Sequence, residues 1–134
     1  MKYFTIAELT QSATAKRKGI SNVPNGEQKA NLTALVSNIL DPLREAFGQP
    51  IVVSSGFRCT QLNKAVGGAA KSQHTTGEAA DIHTLSDRPS ENKKLFDLIQ
   101  KLNLPYDQLI DEYDYNWVHV SYSKRNRRQI LHVK

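Results

Sequence analysis

A single cysteine, Cys59, excludes any disulfide within this chain. At 134 residues the chain is nevertheless long enough to bury a core without such staples. No apolar run approaches the length that spans a membrane, so no membrane partner is expected. The opening residues, Met1-Lys2-Tyr3-Phe4-Thr5, lack the apolar centre of a secretory signal, which predicts synthesis as a soluble cytosolic product. Repeats, linkers and low-complexity stretches are missing too, and residues 1–134 read as one domain, expected to act as a monomer. Neither zinc-finger spacing nor an RNA-binding aromatic motif occurs, so nucleic acid is not an expected partner.

What is present begins with charge. Eighteen Lys and Arg against 13 Asp and Glu give a formal net charge of +5, and much of the excess sits in Lys124-Arg125-Asn126-Arg127-Arg128. Such a surface attracts polyanions. Taken alone, the cluster reads as a solvated turn before a final strand. Cys59 directly follows Arg58; it reads as a small space-filler, with a reactive thiol as the alternative.

Periodicity supplies the elements. Thr5 to Thr10 suits a short helix, Ser12 to Gly19 a polar loop, and Pro24-Asn25-Gly26 a turn. Leu32, Leu35, Val36, Ile39 and Leu43 make an apolar stripe at helical spacing, extended by Phe47. Pro42 should kink or interrupt that helix, and Gly48 should end it. Ile51 to Val53 reads as a buried strand, Thr60 to Val66 as one or two helical turns, and Glu78 to His83 as a second strand. Ser90 is the expected N-cap of a helix whose face carries Leu95, Leu98, Ile99 and Leu102. Gln108 to Glu112 and Trp117 to Ser121 read as a hairpin turning at Asp114-Tyr115-Asn116, and Ile130 to Val133 as an edge strand. Helices mostly first, then strands in hairpin order, predict an α+β fold: a small antiparallel sheet with helices packed on one face.

Two stretches carry chemistry. Ser72-Gln73-His74-Thr75-Thr76-Gly77-Glu78-Ala79-Ala80-Asp81-Ile82 presents a histidine and an aspartate from a loop running into a strand. Alternation puts Ala79, Asp81 and His83 on one strand face, and Trp117, His119 and Ser121 on one face of another. His74, Asp81 and His119 together make a three-ligand zinc set that leaves a fourth position open. The bland alternatives are a hydrogen-bonded His–Asp pair and a satisfied, half-buried His119. His83, two residues beyond Asp81, is a rival ligand that reads better as a neighbouring or exposed histidine.

These motifs resemble those of the zinc D-Ala-D-Ala carboxypeptidases, peptidase family M15. The resemblance rests on Ser-x-His-x-x-Gly-x-Ala-x-Asp-Ile, on Trp117-Val118-His119-Val120-Ser121, and on Ser54-Ser55-Gly56-Phe57-Arg58. Asn63, Val66-Gly67-Gly68 and Asp107-Gln108-Leu109-Ile110 fall in matching order, so it runs from roughly Glu8 to Ser121. It implies a hedgehog/DD-peptidase-like fold with Zn2+ on the open face of the sheet, held by His74, Asp81 and His119. It implies a peptidoglycan stem peptide as substrate, faced by Arg58, whose planar fork suits a carboxylate or polarised carbonyl. Ser72 and Gln73 are candidates to hydrogen-bond that peptide, or else to fix the loop. The bond is D-Ala-D-Ala, or an internal L-Ala-D-Glu bond cut as a phage-type lysin does. The short chain without a signal sequence tilts toward phage origin, with another factor carrying the protein to the wall and the basic surface supplying wall affinity.

One departure concerns the general base. Relatives place an acid three residues before the last histidine, or a histidine two before it; here those positions hold Asn116 and Trp117. Glu112, at the end of the partner strand, is the expected base, with Asp114 in the turn as its rival. The missing base leaves a second reading open: a zinc-stabilised binding module without turnover.

Overall fold

The computed structural model describes every residue from Met1 to Lys134. Short helices lead. Thr5 caps α1 (Ile6–Thr10) by accepting from Glu8 N–H, and Ser12 caps α2 (Ala13–Lys18) by accepting from Ala15 N–H. The polar stretch Ser12–Gly19 is therefore a helix, not the expected loop. Its apolar face is one buried residue, Ala15, which no stripe could reveal; Ser12 starts it and Gly19, left-handed, ends it.

The long stripe folds in three parts. Helix α3 (Gly26–Leu35) opens with a capping box between Asn25 and Gln28. A π turn follows (Val36–Leu40), then α4 (Asp41–Phe47), with Pro42 in its first turn and left-handed Gly48 beyond its end. Pro42 has no N–H to donate and its ring crowds the preceding turn, so the wide turn sits where a regular helix would clash.

The sheet order is β1-β2-β4-β3-β5. Strands β1 (Ile51–Ser55), β2 (Ala79–Thr84), β4 (Trp117–Ser121) and β3 (Gln108–Glu112) pair antiparallel in that sequence. Strand β5 (Gln129–Val133) is the edge strand, as expected, but runs parallel to β3. Between them come α5 (Thr60–Ala65), a 3-10 turn (Gln73–Thr76) and α6 (Pro89–Lys101). Pro89 opens α6 from Arg88, so Ser90 lies inside the helix instead of capping it.

Ala80, Ile82, Leu109, Val118 and Val120 point from the sheet into a cluster of 20 buried side chains. Leu9 of α1, Leu32 and Leu35 of α3, Val36, Ile39 and Leu40 of the π turn, Leu43 of α4, and Leu95, Phe96 and Ile99 of α6 close it from the other side. The alternate residues of β2 and β4, Asp81 and His119 among them, face away. No helix is long and apolar enough to cross a membrane.

Candidate metal centre

Pairing of β2 with β4 sets Asp81 directly opposite His119. The 3-10 turn brings His74 over the same point, and one ligand atom from each of the three lies within 4.8 Å of the others. Gly77, at φ +80°, ends that turn; a Cβ there would stand 2.5 Å from Gln28 O. Gln28 and Asn31 of α3 donate to the carbonyls of Thr75 and Thr76, so the turn is clamped against the core helix.

The imidazoles are fixed by their second nitrogens and their neighbours. His74 Nδ1 lies 2.7 Å from Gly56 O, a carbonyl that can only accept, so Nδ1 carries the proton and Nε2 is a bare lone pair. That Nε2 lies 3.4 Å from Asp81 Oδ1, and His119 Nδ1 lies 3.0 Å from the same oxygen. His74 is 2% exposed and His119 9%, which leaves little water to mediate. A lone pair facing a carboxylate oxygen requires a cation between them, a proton or a metal ion. Ligands about 2.0–2.1 Å from a tetrahedral zinc stand roughly 3.3 Å apart, which matches both separations. Two nitrogens and one carboxylate oxygen are also a donor set that zinc accepts. Burial would raise the Asp81 carboxyl, but the adjoining His119 and His74 imidazoles outweigh it and hold the group well below the usual carboxylate range.

Arg58 is brought to this centre from the far side. A bulge between Val53 and Ser55 bends the end of β1, and Arg58 N–H donates to His74 O at 3.0 Å. Gly56 permits the close approach: a Cβ there would meet Leu9 O at 2.2 Å. Burial lowers the Arg58 pKa while Asp81 and Glu112 raise it, and its buried Nε has no partner. Asn22 braces the loop by donating to Thr10 O and Phe57 O and accepting from Cys59 N–H. Cys59 itself is half-buried against the core.

Glu112 shares a cavity of about 320 Å³ with His119, Ser72 and Gln73; Asp114 does not line it and is exposed. Trp117 Nε1–H donates to Glu112 Oε2, and Asn116 is exposed in the turn, which spans Tyr113 to Asn116. Burial, then the nearby Asp81 charge, pushes the Glu112 carboxyl up. Ser72 Oγ accepts from His74 N–H, and Gln73 Nε2 donates to Asp107 Oδ2, leaving Gln73 Oε1 buried and unpaired. His83 turns elsewhere, to Thr84 O and Asp87, and stays outside the cluster.

The pattern of the family described as Peptidase M15 matches residues 2–121. The chain belongs to the peptidase M15 family. Over 80 residues it is also 36% identical to the zinc D-Ala-D-Ala carboxypeptidase of Streptomyces albus G. That stretch is 59% of this chain and 30% of the relative, so the chain spans under a third of that protein's length. Two bracing residues of this M15 peptidase had no role in the sequence reading: Asn22, an unremarked amide in a loop, and Asp107, which stood in a matched motif without a task. Asp107 is buried and takes four donors, from Gln73 and from the backbone N–H, Nε and Nη2 of Arg127.

Proposed function

We propose that this M15 peptidase is a zinc-dependent hydrolase of peptidoglycan stem peptides, with His74, Asp81 and His119 as the metal ligands. The observation that carries the reading is the pair of histidine nitrogens turned on one Asp81 oxygen inside a family fold. When bound, zinc would supply the Lewis acid that polarises the scissile carbonyl and activates water. Arg58 contributes a planar fork for a substrate carboxylate or the polarised carbonyl, and its partly exposed guanidinium is held by no side-chain hydrogen bond or ion pair within the chain. Glu112 accepts the proton of the attacking water and returns it to the leaving amine. Trp117 holds Oε2 of that carboxylate, so the proton goes to Oε1. At the position where relatives carry a base, Trp117 thus orients one. That placement favours turnover over the binding-module reading, which the absent acid at Asn116 suggested.

The bond is D-Ala-D-Ala, as the Streptomyces relative's name states for that protein, or an internal stem-peptide bond. Mass spectrometry of purified muropeptides incubated with zinc-loaded protein distinguishes them, by loss of one alanine or by an internal cut. Muropeptides left intact by the zinc-loaded protein, or cut equally well after chelation, would refute the reading.

A further inference from the structure

The cavity beside His119 and Glu112 has a basic wall that the proposed chemistry does not use. Lys71, Arg125 and Arg127 line it, against one acid, Glu112. Their commitments differ. Arg127 is bound bidentate to buried Asp107, at 3.0 and 2.8 Å. Arg125 reaches Asp107 only at 4.0 Å, and the oxygens there are already held by Arg127 and Gln73. Lys71 is exposed and takes part in no ion pair or side-chain hydrogen bond. Lys71 therefore has no ion-pair partner and Arg125 only a distant, shared one, and both face a small cavity whose one acid is Glu112. Arg125 comes from the loop after β4, beyond the residues that match the family pattern. Arg58 lies on another wall, opening with Ser54 and Val66 onto a separate cavity.

We propose that Lys71 and Arg125 form a subsite for a side carboxylate of the stem peptide, that of γ-D-Glu or diaminopimelate, selecting stem peptides in which that carboxylate is free. The inference rests on the stem-peptide reading above. About 320 Å³ holds one residue's side chain rather than a length of polymer, and an anion there lies within the same cavity as the metal ligand His119. Two cations, one free and one weakly paired, bind a carboxylate and do not bind its neutral carboxamide in the same way.

The test uses the pentapeptide L-Ala-γ-D-Glu-meso-diaminopimelyl-D-Ala-D-Ala and its form amidated at both side carboxyls, which keeps the C-terminal carboxylate. Hydrolysis is followed with zinc-loaded protein, and binding by calorimetry with zinc-loaded Glu112→Gln protein. Wild type should favour the free acid about tenfold or more in kcat/KM, mostly through KM, the scale of one charge-assisted contact. Lys71→Gln/Arg125→Gln should bring the ratio near one, leave the amidated peptide unaffected, and keep the melting temperature. Equal handling of both peptides by wild type overturns the subsite. So does a preference that survives in the double variant, including the case where that variant loses affinity for teichoic-acid-bearing walls instead. A carboxylate preference in binding without cleavage of either peptide keeps the subsite and sinks the hydrolase reading. Failure to bind either peptide overturns both.

Discussion

The two faces of one sheet divide the work between them. On β2 and β4 the inward residues are Ala80, Ile82, Val118 and Val120, each fully buried. The outward residues of the same strands include Asp81 and His119. The inner face is a set of apolar contacts whose total volume matters, so it tolerates exchange of one apolar side chain for another of similar size. The outer face is a set of directed atoms, each with one neighbour it must meet. Identical backbone geometry thus supports a tolerant surface and an intolerant one a single pleat apart.

That contrast can be broken from either side. The largest effect is expected from His74→Ala/His119→Ala, which should abolish zinc content and muropeptide cleavage while the protein still folds. Elemental analysis alongside circular dichroism reads both, and full zinc content would sink the ligand assignment. From the inner face, Ile82→Ala should cost about 2–5 kcal/mol of stability by denaturant unfolding. Its neighbour Asp81 still points outward, so zinc per folded molecule should not change; parallel loss of zinc and stability would show the two faces to be coupled.

Smaller, and confined to chemistry, is Glu112→Gln. The amide keeps the Trp117 contact and loses basicity, so turnover should fall on the order of a hundredfold with zinc and stability retained. Full activity in this variant and in Asp114→Asn would place the base outside the hairpin.

The smallest effect concerns Asp107, the carboxylate that ties the loop of His74 to the basic one. Hydrogen bonds from Arg127 hold it well below the usual carboxylate range, outweighing burial. Its folded pKa is below its unfolded value. The stability it contributes is therefore present in full above the ordinary carboxylate pKa and is lost as pH falls from there toward the folded value. Asp107→Asn should lower the melting temperature at pH 7 by on the order of 5 °C, with the gap to wild type closing at acid pH. A gap of constant size down to pH 2.5 would mean that the charge of Asp107 contributes nothing.

The division of the sheet also explains what the sequence disclosed. Alternation in Ala79–Thr84 and Trp117–Ser121 marked both faces, because a strand's period separates them residue by residue. Spacing brought His74, Asp81 and His119 forward as a set, and the fold assembles them. The direction of β5 was not legible: Ile130 to Val133 alternates the same way whether it pairs parallel or antiparallel. Helix α2 was missed for want of an apolar face. The braces were hidden for a different reason. Asn22 and Asp107 act on backbone and side chains twelve or more residues away, and nothing local to either residue announces such a contact.

Asp107 also sets an order in time. A ribosome completes the turn bearing His74, then β2, then Asp107, well before Arg127 emerges. Until it does, Asp107 lacks three of its four donors, and the Gln73 side chain is held by a carboxylate that nothing else secures. The strand that carries Glu112 likewise waits for β5 to cover its outer edge. The face that bears His74, Asp81 and His119 is thus completed only by the loop and strand that follow it in synthesis, so a nascent chain can acquire its core before that face is whole.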